Sequence, residues 1–446
     1  MSRSIKETSD LINSISPSFC AAKWYNVSIW LGNGRTASCH HPLAHYIPKM
    51  ELDRNPSAVH NTQFKKGLRK EMLEGIRPSE CSYCWTAEDA AKKNGEEIYS
   101  DRVYQSNRYT TEEILAIKDI PWTKDVIPKT VELAFDNLCN LACSYCNSEF
   151  SSTWAKDIAT KGPYTGMKTS GGGTFENDGS HAMPFGNKNE GNTYVEKFFE
   201  WFPMIRKGLQ ELRVSGGEPS RSPSFWKLLD MCDNDNFSFA VNSNLIMDDT
   251  RLDKLINSAD KFKSFDIYTS AECGGKLQDI VRDGFDWEIW ERNMWKVAKS
   301  GKVSGLHIMM TVSALSVWGI DEFLKKIISW RKELGHKEIF YMSVNIARFP
   351  SFQNVNIIDQ QIKNQIADKI ETELNQSREW MHEWEQNHYE RLIVYLRNVE
   401  KSYEDKDTIE NKRNDFKNFL EQFSVRRNKP LEEYLPTDTL NWFRTL

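Results

Sequence analysis

No stretch of this sequence approaches the ~18 consecutive apolar residues of a membrane span. The first twenty residues, MSRSIKETSDLINSISPSFC, also lack the sustained apolar core of a secretory signal. These absences predict a cytoplasmic chain, where thiols stay reduced. An excess of basic charge is missing too: the formal net charge is −5, which argues against nucleic acid as a partner. Two short basic runs, FKKGLRK at 64–70 and VRRNK at 425–429, are expected to be solvated surface. No solenoid-type repeat is visible. No cysteine follows Cys273, and no fourth thiol accompanies Cys139, Cys143 and Cys146, which are spaced C-x3-C-x2-C.

The chain has 446 residues, which suggests two or three domains. Between about 130 and 350, strand-like and helix-like segments alternate. TVELAFD, LQELRVSG, FSFAVNSN, KSFDIYTS, GLHIMMTVS and EIFYMSVNI read as strands. SFWKLLDMC, DDTRLDKLINS, DWEIWERNMWKVAKS and IDEFLKKIISWRKEL read as the helices between them. Six β/α repeats predict an α/β fold with a parallel sheet, because parallel neighbours need a crossover. Periodicity leaves open whether the sheet is open or a partial barrel. Residues 162–191 hold 8 of the 23 glycines, in a segment too long for an ordinary connection. It reads as a surface insertion or a mobile lid over a site. The tail from about 351 to 446 reads as helical. Trp380 and Trp384, spaced i, i+4, are expected to share a helix face as core anchors, as are Trp287 and Trp290.

Three thiolates in eight residues can hold three irons of a cubane cluster and leave the fourth iron open. A structural zinc site wants four closed ligands, and a ferredoxin supplies a fourth cysteine. The C-x3-C-x2-C loop after a strand-like VELAFD resembles the radical S-adenosylmethionine (SAM) superfamily. Tyr145, an aromatic before the last cysteine, matches that pattern. A second match is RVSGGEPS, with Gly216, Gly217, Glu218 and Pro219 at the end of the second strand. The resemblance implies a partial (β/α)6 TIM-type barrel over 128–350. It also implies a SAM-binding 4Fe-4S cluster on Cys139, Cys143 and Cys146, with the GGEP stretch at the SAM amino group. Polar groups at later strand ends, Asn242, Ser243, Asn244, Ser270 and Glu272, would serve the cofactor, and Arg282 its carboxylate. The implied chemistry is reductive cleavage of SAM to methionine and a 5′-deoxyadenosyl radical, which abstracts hydrogen from a substrate. Cys273 is a candidate radical relay or extra ligand; Cys232 reads as a packed thiol.

The amino-terminal cysteines add a second pattern. Cys20 is followed by thirteen residues, Gly34, four more and Cys39; Cys81 and Cys84 form a C-x2-C pair. This resembles the first half of the auxiliary-cluster domain of radical SAM maturases, the SPASM or twitch domain, here ahead of the barrel. It implies a twitch-like domain over 1–110 holding an auxiliary 4Fe-4S cluster. The competing reading is structural zinc, with His40 or His41 replacing a ligand.

Auxiliary-cluster relatives modify peptides or proteins, which makes that the leading expectation. Only nineteen residues precede Cys20, too few for a leader-peptide-binding domain. That favours the alternative, oxidation or rearrangement of a small molecule such as a sugar or nucleoside. A zinc-stabilised, non-enzymatic binding module is the alternative of another class. The implied partners are SAM, the substrate and an external electron donor such as flavodoxin or ferredoxin, in a bacterium or a virus of one.

Overall fold

The computed structural model describes residues 3–95, 98–176, 191–398 and 408–446. Its strands are β1 (Asn26–Trp30), β2 (Arg35–Ala37), β3 (His45–Tyr46), β4 (Thr130–Ala134), β5 (Ala142–Cys143), β6 (Glu211–Ser215), β7 (Asp235–Asn242), β8 (Phe262–Ser270), β9 (Arg282–Asp283), β10 (Gly305–Val312) and β11 (Tyr341–Ile346). All six expected strands are present, as β4, β6, β7, β8, β10 and β11. The four expected helices are Pro223–Met231, Asp249–Asn257, Trp287–Ser300 and Ile320–Leu334. The fold is α/β with parallel strand pairing. No helix among the described residues is long and apolar enough to cross a membrane.

The chain divides into two compact units. The first comprises 1–136, 188–215 and 233–239. Here β4 pairs parallel with β6, Val131 opposite Leu212, and parallel with β1, Val27 opposite Val131. Strand β1 was not expected, although NVSIW carries the β-branched and aromatic residues that favour strands. Antiparallel β2 and β3 extend it. A core of Ile12, Phe19, Trp24, Trp85, Val103 and Ile114 fills the remainder. Its first helix, Ile5–Ile15, is started by a reciprocal capping box between Ser4 and Glu7.

The basic run at 64–70 corrects the expectation of a solvated face. It forms the helix Gln63–Leu73, whose Lys65, Lys66 and Arg69 are buried. Lys65 Nζ donates to Thr36 Oγ1 (2.8 Å) and the Ala37 carbonyl (3.1 Å). Arg69 donates to the Lys23 carbonyl (2.9 Å) and Asn61 Oδ1 (2.8 Å), and Lys66 pairs with Asp125 (2.6 Å). Buried polar and charged groups need such partners, and burial pushes the Lys65 pKa well down.

The second unit comprises 137–187, 216–232 and 240–446. Strands β8, β10 and β11 are parallel neighbours, with His307 opposite both Tyr268 and Tyr341. Side chains alternate across this sheet. Phe265, Ile267, Leu306, Ile308, Met310, Met342 and Val344 are buried, while Tyr268, Ser270, His307, Met309, Thr311, Tyr341 and Ser343 are half-buried. The sheet therefore keeps one apolar face and one polar face. Trp290, from Trp287–Ser300, is fully buried and donates to Thr269 Oγ1 at 3.0 Å.

The tail is helical, in Gln360–Ser377, Glu383–Arg397 and Ile409–Arg427. Glu385 ties it to the sheet: its carboxylate pairs with Arg331 (2.6 Å), both side chains at 0% exposure, and accepts from Met342 N (2.7 Å). Trp380 and Trp384 do not share a helix. The chain leaves a 3-10 turn at Met381, the next helix starts at Glu383, and Trp384 is exposed. Trp287 and Trp290 do share one, with ring centroids 5.1 Å apart.

The basic run at 425–429 is likewise engaged rather than solvated. Arg427 pairs with Asp157 (3.3 Å) and Asp283 (3.2 Å), and Lys429 with Asp279 (2.7 Å) and Asp283 (2.6 Å). The described part of the glycine-rich segment, 162–176, is also pinned. Asp415 accepts from Lys168 N, Thr169 N and Thr169 Oγ1, each at 2.7 Å. Phe175 is buried against Trp154 and Phe419. Residues 177–190 of that segment lie outside the described residues.

Candidate cysteine-loop and cofactor site

The loop after β4 is shaped by hydroxyls just beyond it. Ser152 Oγ accepts from Cys139 N (3.0 Å), Thr153 Oγ1 donates to the Cys139 carbonyl (2.7 Å), and Ser151 Oγ donates to the Leu141 carbonyl (2.7 Å). Trp154 Nε1 donates to the Cys143 carbonyl at 2.9 Å. These four residues open the helix Ser152–Lys161, with Ser151 as its N-cap. The sequence SSTW thus caps the helix and braces the thiol loop at once.

Cys139, Cys143 and Cys146 come together. Burial is the main force raising each thiol's pKa, to about 12 for Cys139; Cys143 adds to the rise at Cys139, and both add to the rise at Cys146. Thiols whose pKa is raised in this way are poor thiolates on their own, and bound iron would supply the missing positive charge. This donor set fits a cluster held by three cysteines. Asn137 Oδ1 and Ser144 Oγ on the loop, Ser220 Oγ just after the GGEP stretch, and Gln353 Oε1, whose amide nitrogen donates to the Ser144 carbonyl (3.4 Å), are buried without a hydrogen-bond partner. Such orphans ask for water or a ligand.

The GGEP turn is seated on this loop. Gly216 has φ +123°, a region open chiefly to glycine. A Cβ on Gly217 would lie 2.4 Å from the Leu138 carbonyl oxygen and 2.7 Å from that of Asn137. Glu218 N donates to the Leu138 carbonyl at 2.6 Å. The Glu218 carboxylate is buried; it accepts from Ser243 Oγ (2.8 Å) and Ser220 N (3.1 Å) on one oxygen and Asn244 N (2.6 Å) on the other. Burial pushes its pKa up against those hydrogen bonds. Glu218 therefore clamps the end of β7 to the turn. Pro219 is buried and starts the next short turn. Asn244 Nδ2 donates to Asn140 Oδ1 (2.9 Å), joining the β7 end to the cysteine loop. Asn242 is the half-buried last residue of β7.

The fourth strand end carries a buried carboxylate. Glu272, at 0% exposure, accepts from Arg282 Nη2 (2.5 Å), Arg282 Nε (2.9 Å), Tyr145 Oη (3.0 Å) and Thr311 N (3.1 Å). Arg282 also stands over the Tyr145 ring, 5.3 Å from its centroid. Arg282 occupies β9, opposite Cys143 of β5. Two of its three nitrogens are thus committed to Glu272, and the third, Nη1, faces Cys143 Sγ at 3.6 Å. Ser270 is half-buried at the end of β8, in register with Met309. Cys273 is fully buried; its thiol donates to Gln278 Oε1 (3.3 Å), and its Cβ lies 2.8 Å from the position of a Cβ on Gly319. Cys232 is a buried thiol at the end of Pro223–Met231. Asn140, Gln278, Thr311 and Gln353 were not foreseen; Asn140, Thr311 and Gln353 act through long-range contacts that no local motif announces, and Gln278 closes a local turn onto Glu272 and Cys273.

In the first unit, Cys20, Cys39, Cys81 and Cys84 line one cavity with Lys23, His41, Asp101 and Arg102. Burial raises the Cys20 pKa to about 12, with Cys39, Cys81 and Cys84 adding to it. Among the described residues no three of these thiols bring their sulfurs within 4.8 Å of one another, wider than the roughly 3.8 Å between thiolates on a tetrahedral zinc, so the cavity suits a four-cysteine cluster better than structural zinc.

No protein-family model matches the chain, and no curated protein does. Among solved structures, native anSMEcpe with bound AdoMet and the Kp18Cys peptide is similar at 14% identity and a TM-score of 0.34, over 56% of this chain and 62% of that one. SuiB of Streptococcus suis bound to S-adenosylmethionine is similar at 15% identity and a TM-score of 0.38, over 70% of this chain and 63% of that one. The chain thus aligns with under two thirds of either protein. At such identities and TM-scores these likenesses carry nothing about this chain's chemistry.

Proposed function

We propose that the chain is a radical SAM enzyme, and that residues 128–350 form its partial (β/α)6 barrel. One observation carries the reading: three thiols in C-x3-C-x2-C, Cys143 buried and Cys139 and Cys146 half-buried, share a loop against which a Gly-Gly-Glu-Pro turn is packed without room for a Cβ at Gly217. When bound, the 4Fe-4S cluster supplies one electron for cleavage of SAM to methionine and a 5′-deoxyadenosyl radical.

The residues divide the remaining work. Cys139, Cys143 and Cys146 hold three irons. Gly216 and Gly217 bring backbone close to the cofactor. Glu218, Ser243 and Asn244 fix the geometry of that backbone, and Glu272 with Tyr145 orients Arg282 beside the cluster ligand Cys143. The half-buried polar face of β8, β10 and β11 serves as the substrate surface.

Cys20, Cys39, Cys81 and Cys84, in a twitch-like amino-terminal domain, would hold an auxiliary 4Fe-4S cluster, which would supply a one-electron acceptor. Peptide or protein modification is the leading activity, with an external electron donor reducing the SAM cluster. Oxidation of a small molecule is the second reading, favoured by the polar, hydroxyl- and amide-rich face that Ser270, Thr311, Ser343 and Asn345 give the sheet.

Iron and sulfide counting on protein reconstituted without oxygen tests the assignment. The native chain should hold about eight irons, and the Cys81→Ala, Cys84→Ala variant about four. A native chain carrying zinc and no sulfide would make it a metal-stabilised binding module instead.

A further inference from the structure

At the edge of the four-cysteine cavity, which His41 and Asp101 also line, the first unit carries a group of donors that neither cysteine motif uses. His40, His41 and Asp101 present one ligand atom each, all within 4.8 Å of one another. His41 Nε2 lies 3.0 Å from Asp101 Oδ2, and His40 Nε2 lies 3.9 Å from the same oxygen. Donors bound at roughly 2.0–2.2 Å around a tetrahedral zinc stand about 3.3 Å apart. The two imidazole-to-carboxylate spacings bracket that value.

An ordinary His–Asp hydrogen bond accounts for His41 alone. It does not account for the second imidazole, whose ring centroid is 4.2 Å from that of His41 and whose Nε2 is turned to the same carboxylate oxygen. The group is also held in place from outside. Tyr83 stacks on the His41 ring at 3.7 Å with planes 13° apart, and Gln105 Nε2 donates to Asp101 Oδ2 at 3.4 Å. Outer partners of this kind orient metal ligands. His41 and Asp101 are largely buried, at 17% and 23% side-chain exposure, whereas His40 is 64% exposed. That gradient suits a cation with its protein ligands on one side and water on the other.

We propose that His40, His41 and Asp101 form a mononuclear site for a divalent cation of the zinc type at the rim of the thiol cavity, whose wall His41 and Asp101 share, with ligand atoms distinct from the four sulfurs. Neutral imidazole and carboxylate select a borderline metal, and three protein ligands leave a coordination position open to solvent. The inference is independent of what the cysteine loop binds.

The test uses the full chain, purified and reconstituted without oxygen, equilibrated with Zn2+ and freed of loose metal on a chelating resin. Elemental analysis gives the stoichiometry and zinc K-edge absorption gives the ligand atoms. The expected result is about one zinc per chain with nitrogen and oxygen ligation and imidazole outer-shell scattering. His40→Gln, at an exposed position that does not endanger folding, should weaken zinc binding at least about tenfold, as should His41→Gln. Sulfur ligation would overturn the proposal and place zinc on the cysteines, against their iron reading as well. Nitrogen- and oxygen-bound zinc with only about four irons per chain would uphold this site while removing the auxiliary cluster. Loss of all zinc on the resin, or native affinity in His40→Gln, would overturn it.

Discussion

Arg282 and Cys143 face each other across the two-residue antiparallel ladder of β5 and β9, with the guanidinium Nη1 3.6 Å from the thiol sulfur. The same arginine is bound through its other two nitrogens to Glu272. A fixed cation beside a cysteine favours its thiolate, and the Arg282 charge acts in that direction on Cys143. Glu272 in turn keeps the buried guanidinium charged.

Breaking this pair from one side should be costly. Arg282→Met leaves the Glu272 carboxylate buried without its counter-ion, and a loss of about 3–5 kcal/mol is expected. The double variant Arg282→Met, Glu272→Gln should recover part of it. Denaturant unfolding of the single and double variants measures the coupling; additive losses would mean that the two residues act separately.

Gly217→Ala should disturb the cysteine loop while sparing the bulk of the fold. The added Cβ would sit 2.4 Å from the Leu138 carbonyl oxygen, so the turn and the loop must part. Iron bound after reconstitution should fall toward the level of a variant in which Cys139, Cys143 and Cys146 are all changed to alanine. Circular dichroism should stay native. Full iron loading of Gly217→Ala would show that the close approach is not needed.

Asp415→Ala should free the segment 162–176. It removes the acceptor of three hydrogen bonds from Lys168 and Thr169, each worth about 0.5–1.5 kcal/mol, more for a charged acceptor. Amide exchange at these residues should speed up, and proteases should cut there. Unchanged exchange would leave the aromatic contacts of Phe175 as the sufficient anchor.

His45 sets an acid limit on the first unit. Burial, with Lys65 and Lys23 adding to it, lowers its pKa from 6.5 to about 3. The folded state therefore holds a neutral imidazole where the unfolded chain would protonate it. Its contribution is fully present above pH 6.5 and is lost as the pH falls toward about 3. Melting temperature should decline across that window, and His45→Gln should flatten the decline. An identical slope in the variant would assign the acid sensitivity elsewhere.

The parallel strands and their crossover helices were legible because each carries its own period: alternation in β8 and β10, a 3.6-residue stripe in Trp287–Ser300. Cys139, Cys143, Cys146 and the GGEP turn were legible because spacing and glycine are local signals. The basic runs misled for the opposite reason. Lys65, Arg69, Arg427 and Lys429 look like solvent-facing charge until distant partners, Thr36, Asn61, Asp157 and Asp283, close around them. Trp380 and Trp384 misled because i, i+4 spacing says nothing of a helix break at Met381. The role of Glu218 as a clamp on β7, rather than as a free carboxylate, depends on Ser243 and Asn244, more than twenty residues away.

The most direct test of the central claim is the release of 5′-deoxyadenosine by anaerobically reconstituted protein given dithionite and SAM, followed by liquid chromatography. The native chain should release it slowly without added substrate, because cleavage needs only the cofactor held at Cys139, Cys143 and Cys146. The variant with all three changed to alanine should release none, while Cys81→Ala, Cys84→Ala should still do so. Undiminished release from the triple variant, or none from the fully loaded native chain, would contradict the account.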